Sequence, residues 1–145
     1  MIQRLQSIFL LLSGASLGGT FALPYADSAT PIPETLFADQ FYTNSDNTAL
    51  MVLIGLAALL AVAAIFVYSN RKLQRQLSWG SIALTVGAIA FGVYYFMSQG
   101  AAMGSVVVDE EPGAILPIAA IVFDFLAIRY INKDEKLVRS ADRLR

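Results

Sequence analysis

The sequence predicts an all-α integral-membrane four-helix bundle with both termini on the cytoplasmic side. Three observations carry that reading: four long apolar runs, the lack of strand-like alternation within them, and a one-sided distribution of charge. The runs cover residues 5–26, 48–68, 78–98 and 114–128, and Tyr130 and Ile131 lengthen the last to 114–131 if Arg129 snorkels. Each approaches the ~20 residues needed to cross ~30 Å of hydrocarbon. Lipid offers the backbone no hydrogen bonds, so each run must be helical, and the absence of period-two alternation argues against a barrel. An apolar content of 57% and a mean hydropathy of +0.61 exceed the ~45–50% apolar share of soluble domains. Residues 1–131 therefore form one membrane domain, followed by a basic amphipathic tail over 132–145.

Charge orients the bundle. All ten Lys and Arg residues fall before the first run, between the second and third, or after the fourth. The other two connections hold Asp27, Glu34, Asp39 and Asp46, then Asp109, Glu110 and Glu111, with no basic residue. By the positive-inside rule both termini are cytoplasmic and both acidic loops are outside.

The first run resembles a secretory signal at its basic start. It exceeds the usual ~7–15 residue apolar core of such signals, and a retained helix is expected. The first outer connection mixes Pro24, Pro31 and Pro33 with Leu36, Phe37, Phe41 and Tyr42. Phe37 and Phe41 are one helical turn apart, so 34–42 reads as a short helix at the lipid surface; alternatively these aromatics cap the bundle. Ser45, Asp46 and Asn47 supply N-cap chemistry for helix two. The basic connection 69–77 is short, which makes helices two and three antiparallel neighbours. In the second outer connection Pro112 starts helix four, and the acids before it suit the positive end of the helix dipole. Three consecutive acids point in different directions, so a solvated loop is favoured over calcium, which needs ~6–8 convergent oxygens. Gly14 with Gly18, Ala57 with Ala61, Ala83 with Gly87, and Ala88 with Gly92 have the spacing of close helix contacts.

The chain has neither cysteine nor histidine. Thiol chemistry, Cys/His metal clusters, bis-His haem and Ser-His catalysis are excluded. No Gly-rich phosphate loop is present, and carboxylates and hydroxyls alone rarely make an active site. The expectation is a protein that is not an enzyme and takes no cofactor or metal.

Asp124 is the one ionisable residue inside a predicted span. An aspartate near a helix centre costs ~2.5–3.5 kcal/mol on insertion scales, so it should face the bundle interior. Ser81 and Thr85, one turn apart on helix three, are the expected hydrogen-bond donors, with Ser7, Arg4 or Arg75 also within reach. Bonded in this way, Asp124 would lock helix four in register; the alternative is a possible ion or proton site formed by Asp124, Ser81 and Thr85.

In the tail, Leu137, Val138, Ala141 and Leu144 share one helical face, and Glu135 with Arg139 has the favourable i,i+4 order. Six basic and three acidic residues from Arg129 onward suit anionic headgroups or a protein partner. A solvated extension of helix four is the plainer alternative. The opening Met1-Ile2-Gln3-Arg4-Leu5-Gln6-Ser7 and the closing Lys133-Asp134-Glu135-Lys136-Leu137-Val138-Arg139-Ser140-Ala141-Asp142-Arg143-Leu144-Arg145 resemble a small family of uncharacterised four-span inner-membrane proteins common in Bacteroidota. The resemblance implies four spans in a bacterial inner membrane and carries no catalytic residue. The expected function is that of an accessory or scaffold subunit. Its contact residues would be Gln3, Arg4, Gln6, Lys133, Lys136, Arg139, Arg143 and Arg145, and its partners the lipid bilayer and a larger membrane complex, not nucleic acid. A small ion- or proton-coupled transporter centred on Asp124 is the alternative.

Overall fold

The computed structural model describes residues 2–103 and 108–142, and side chains over 5–99 and 108–138. Four helices form the bundle: α1 (Ile2–Gly19), α2 (Thr48–Phe66), α3 (Arg71–Met103) and α4 (Leu116–Asp142). α1 packs on α2 and α4, and α3 packs on the same two helices, so α1 and α3 are diagonal.

Asn47 caps α2, its side chain accepting from the Ala49 N–H at 2.9 Å, and Asn70 caps α3 by accepting from the Leu73 N–H at 3.1 Å. The expected N-cap cluster therefore divides its work: Asn47 starts α2, while Thr43 and Asp46 form a capping box on the 3-10 turn before it. Pro112 opens a 3-10 turn over Pro112–Ile115 that leads into α4.

Inward residues recur at alternating steps of three and four. In α2 they are Leu50, Ile54, Ala57, Ala61 and Ala64. Ser13 and Leu17 follow Gln6 and Leu10 on α1, Ser81 and Thr85 follow Gln74 and Ser78 on α3, and Ala120, Asp124, Ala127 and Ile131 line α4. That mean spacing of 3.5 keeps one seam of each helix facing its neighbours. A Cβ at Gly14 would meet Val62 Cγ2 at 2.9 Å, so this glycine permits the close approach of α1 to α2. Gly18, Ala83 and Gly87 are exposed and take no part in the interior. Outward positions carry large apolar groups such as Leu59, Phe66, Tyr94 and Met97. Three helices, over Thr48–Phe66, Arg71–Gln99 and Pro112–Val138, are long and apolar enough to cross a membrane. The apolar part of α1, Leu5–Gly19, is shorter.

The structure departs from the expected fold in three places. α1 stops at Gly19, well before the end of its apolar run. Thr20 Oγ1 donates to Leu17 O at 2.6 Å, and the chain turns through Phe21 to Leu23 toward Pro24. The acidic connections then build a small antiparallel sheet of order β2-β1-β3, from β1 (Ala26–Ser28), β2 (Phe41–Tyr42) and β3 (Val108–Glu110), so the fold is helical with a β cap. Ala26 lies between Tyr42 and Glu110 in this register. Such pairing becomes available only when both outer connections meet at one end of the bundle.

The surface helix expected over 34–42 is absent. Glu34 and Gln40 have φ of 63° and 72°, in the left-handed region that interrupts a helix. A turn that encloses Glu34 closes with the Ile32 N–H donating to Phe37 O at 2.9 Å. Phe37 and Tyr42 are buried, and Phe96 of α3 meets the Phe37 ring edge-on with centroids 6.2 Å apart. These aromatics cap the bundle.

Candidate functional site

Two buried polar clusters occupy opposite halves of the bundle. At the end bearing the acidic connections, Asn44 joins three elements. Its Nδ2 donates to Thr20 O at 3.0 Å and to Thr20 Oγ1 at 2.8 Å, and its Oδ1 accepts from the Tyr25 hydroxyl. Tyr42 donates to Gly92 O of α3 at 3.0 Å, tying the sheet to the helix. Burial pushes the phenols of Tyr25 and Tyr42 above their ordinary value, which keeps both protonated as donors. Burial also raises the Asp46 carboxyl, against the Thr43 N–H that it accepts.

Toward the basic end, the seam positions of α1, α3 and α4 carry Gln6, Ser13, Gln74, Ser78, Ser81, Thr85 and Asp124, each at 0–1% exposure. The α3 hydroxyls are committed to main-chain carbonyls. Ser78 donates to Gln74 O, Ser81 to Ala57 O of α2 at 3.1 Å, and Thr85 to Ser81 O at 2.8 Å. Among the described residues no hydrogen bond reaches either oxygen of Asp124, nor the side-chain polar atoms of Gln6, Ser13 and Gln74.

Asp124, Ser81 and Thr85 are all buried on the inward seams of α4 and α3, and no direct hydrogen bond joins the carboxylate to either hydroxyl among the described residues. A serine or threonine in mid-helix satisfies its hydroxyl on the carbonyl one turn earlier, and at Thr85 this local partner prevails over the carboxylate. Arg75 is likewise unavailable to Asp124. Its Nη1 binds Glu135 Oε2 at 3.0 Å and Asn132 Oδ1 at 2.9 Å, beside an Arg71–Asp134 ion pair at 2.9 Å.

Gln6 was expected among the terminal contact residues and is instead completely buried. It occupies the first of the seam positions Gln6, Leu10, Ser13 and Leu17, which turns it toward the axis. Lys133 and Lys136 are exposed on α4, which runs unbroken to Asp142. The side chains of Gln3, Arg4 and Arg139, and the whole of Arg143 and Arg145, lie outside the described residues.

The site residues missed in the sequence are Gln6, Ser13, Gln74 and Ser78. Their signal was the alternating three-and-four spacing of polar and small residues along α1 and α3, legible only once those helices are known to share an axis. Uncommitted carboxylate, amide and hydroxyl groups in a buried seam are chemically able to hold water, a proton or a small cation. No cluster of three or more acidic side chains suited to a metal ion occurs among the described residues.

The model of a family described as a domain of unknown function, DUF4293, matches residues 2–144. No curated protein matches the chain.

Proposed function

The chain belongs to the DUF4293 family, and from the geometry of its basic end we propose that it is a non-enzymatic accessory or scaffold protein of the bacterial inner membrane. In this reading the basic end is cytoplasmic and contacts a partner complex or anionic lipid. The observation that carries the proposal is the division of labour on the α4 extension. Asp134 and Glu135 pair with Arg71 and Arg75 of α3, whereas Lys133, Lys136, Leu137 and Val138 remain exposed. The paired side chains are 13–33% exposed, and solvent screening leaves each pair worth only ~0–1 kcal/mol. Their contribution is positional: they brace the extension and leave cations and apolar groups outward.

Deleting the whole tail would also remove the bracing acids, so the test is Lys133→Gln/Lys136→Gln in the full chain. Insertion and thermal stability should persist while partners or lipid recovered in mild detergent are lost. An unchanged set recovered by mass spectrometry would refute the proposal.

A second reading, an ion- or proton-coupled transporter centred on Asp124, draws support from the uncommitted polar atoms of the buried seam. It requires that Asp124→Asn abolish a proton- or cation-dependent flux in proteoliposomes while the protein stays folded. No flux in the unaltered protein would exclude it.

A further inference from the structure

A groove of about 720 Å³ runs along the face of α4 that is turned away from the bundle axis. Its outline is set by Val122, Phe125, Leu126, Arg129, Lys133 and Lys136. At 100° per residue these six positions fall within an arc of about 100°, on the side opposite Asp124. Along the helix they are sorted by chemistry. Val122, Phe125 and Leu126 come first, at the level of the apolar span; Arg129 follows, and Lys136 lies about 10 Å further along. Val122 and Phe125 are half exposed, and Trp79 of α3 meets the Phe125 ring edge-on with centroids 5.4 Å apart. Arg129, Lys133 and Lys136 enter no ion pair among the described residues, and the two nearby acids are held by Arg71 and Arg75.

We infer that this groove is a specific site for one anionic phospholipid of the cytoplasmic leaflet. The acyl chains lie along Val122, Phe125 and Leu126, and the phosphate sits among Arg129, Lys133 and Lys136. Arg129 provides the planar fork suited to phosphate oxygens, while the lysines act as point charges. An acidic protein segment would complement the cations but not the apolar half of the groove, which faces lipid at the depth of the span. An amphiphile with a negative head complements both. This inference rests on the membrane-surface reading above and names the ligand for it.

Native mass spectrometry of the full-length protein, loaded with phosphatidylglycerol or phosphatidylcholine of matched chains, tests the site. One phosphatidylglycerol per protomer should be retained in preference to phosphatidylcholine. Lys133→Gln/Lys136→Gln should weaken its retention about 20- to 30-fold, at ~1 kcal/mol for each basic residue near the surface. Lys72→Gln, which removes a charge outside the groove, should change it less than twofold, and Phe125→Ala should weaken both lipids. Equal retention of the two lipids, an equal loss with Lys72→Gln, or exchange of the lipid for an acidic peptide would each overturn the inference. A C-terminal reporter found outside the cell would instead remove the underlying membrane-surface reading, so the two failures are distinguishable.

Discussion

At the acidic end of the bundle Thr20, Tyr25, Tyr42 and Asn44 spend their polar atoms on one another and on main-chain carbonyls. A few turns away Gln6, Ser13, Gln74 and Asp124 are equally buried, yet their side chains find no hydrogen bond among the described residues. The contrast concerns free energy as much as geometry. A satisfied buried hydrogen bond contributes ~0.5–1.5 kcal/mol, whereas an unsatisfied buried polar group costs ~1–3 kcal/mol. The cap therefore stabilises the fold through bonds of its own, whereas these seam side chains add no such bond among the described residues. Buried polar groups in so apolar a bundle are a functional signal, whereas the cap is accounted for by its role in joining α1, α3 and the sheet.

The largest expected effect tests the cap's attachment. A Cβ at Gly113 would lie 2.1 Å from Pro24 O and 2.6 Å from Leu23 O, both main-chain atoms that cannot rotate away. Gly113→Ala should cost about 4 kcal/mol in a reversible denaturation measured in detergent, in the range reserved for severe packing faults. A change below about 1 kcal/mol would mean that the junction between cap and helices is soft.

Asn44→Ala sharpens the comparison, because it strands the Tyr25 hydroxyl and removes both bonds to Thr20. A loss of about 2–3 kcal/mol is expected in the same assay. The seam should respond with the opposite sign. Asp124→Leu removes a buried carboxylate that receives no hydrogen bond among the described residues, and should raise stability by about 1–3 kcal/mol. Destabilisation instead would show that Asp124 holds α4 in register, and the difference between the two regions would collapse.

Alkaline titration separates the regions without mutation. Burial raises the folded-state values of Tyr25 and Tyr42, so the native chain holds these protons more tightly than the unfolded chain does. Their contribution is complete below pH about 10 and declines as the pH rises above it. Near-UV circular dichroism should report loosening of the cap together with phenolate absorbance; tyrosine ionisation with an unaltered dichroism signal would contradict this. The smallest effect belongs to the braces. Arg75→Ala should cost about 0.5–1 kcal/mol and speed amide exchange over 132–138, leaving exchange in the cap unchanged.

Much of this contrast is hidden in the linear chain. Asp124 stands out as a lone charge in an apolar run, and its burial follows from the cost of exposing it to lipid. Gln6 does not stand out, because a polar residue near a terminus reads equally well as a surface contact. Its burial depends on phase, since Gln6 and Ser13 are two helical turns apart on the α1 seam. Asn44 is similarly opaque: it lies in a connection, and Thr20 and Tyr25 become its partners only after α1 ends early. The opposed pairs Arg71–Asp134 and Arg75–Glu135 join residues about sixty positions apart, beyond any local periodicity.

Composition, run length and backbone hydrogen-bonding requirements determined from the sequence alone that the chain is built around four apolar helices, because these are local properties that summed hydropathy and the peptide group decide. The ten-to-none partition of basic residues likewise predicts which ends lie together. Tertiary structure decided that the two acidic connections pair as a sheet, that Ser81 and Thr85 turn their hydroxyls to carbonyls instead of Asp124, and that the cations of α4 face outward while its neighbouring acids are held. Each of those outcomes depends on which distant group arrives within about 3 Å, and hydrogen bonds and ion pairs at that range are selected by helix phase and packing, quantities that no single segment carries.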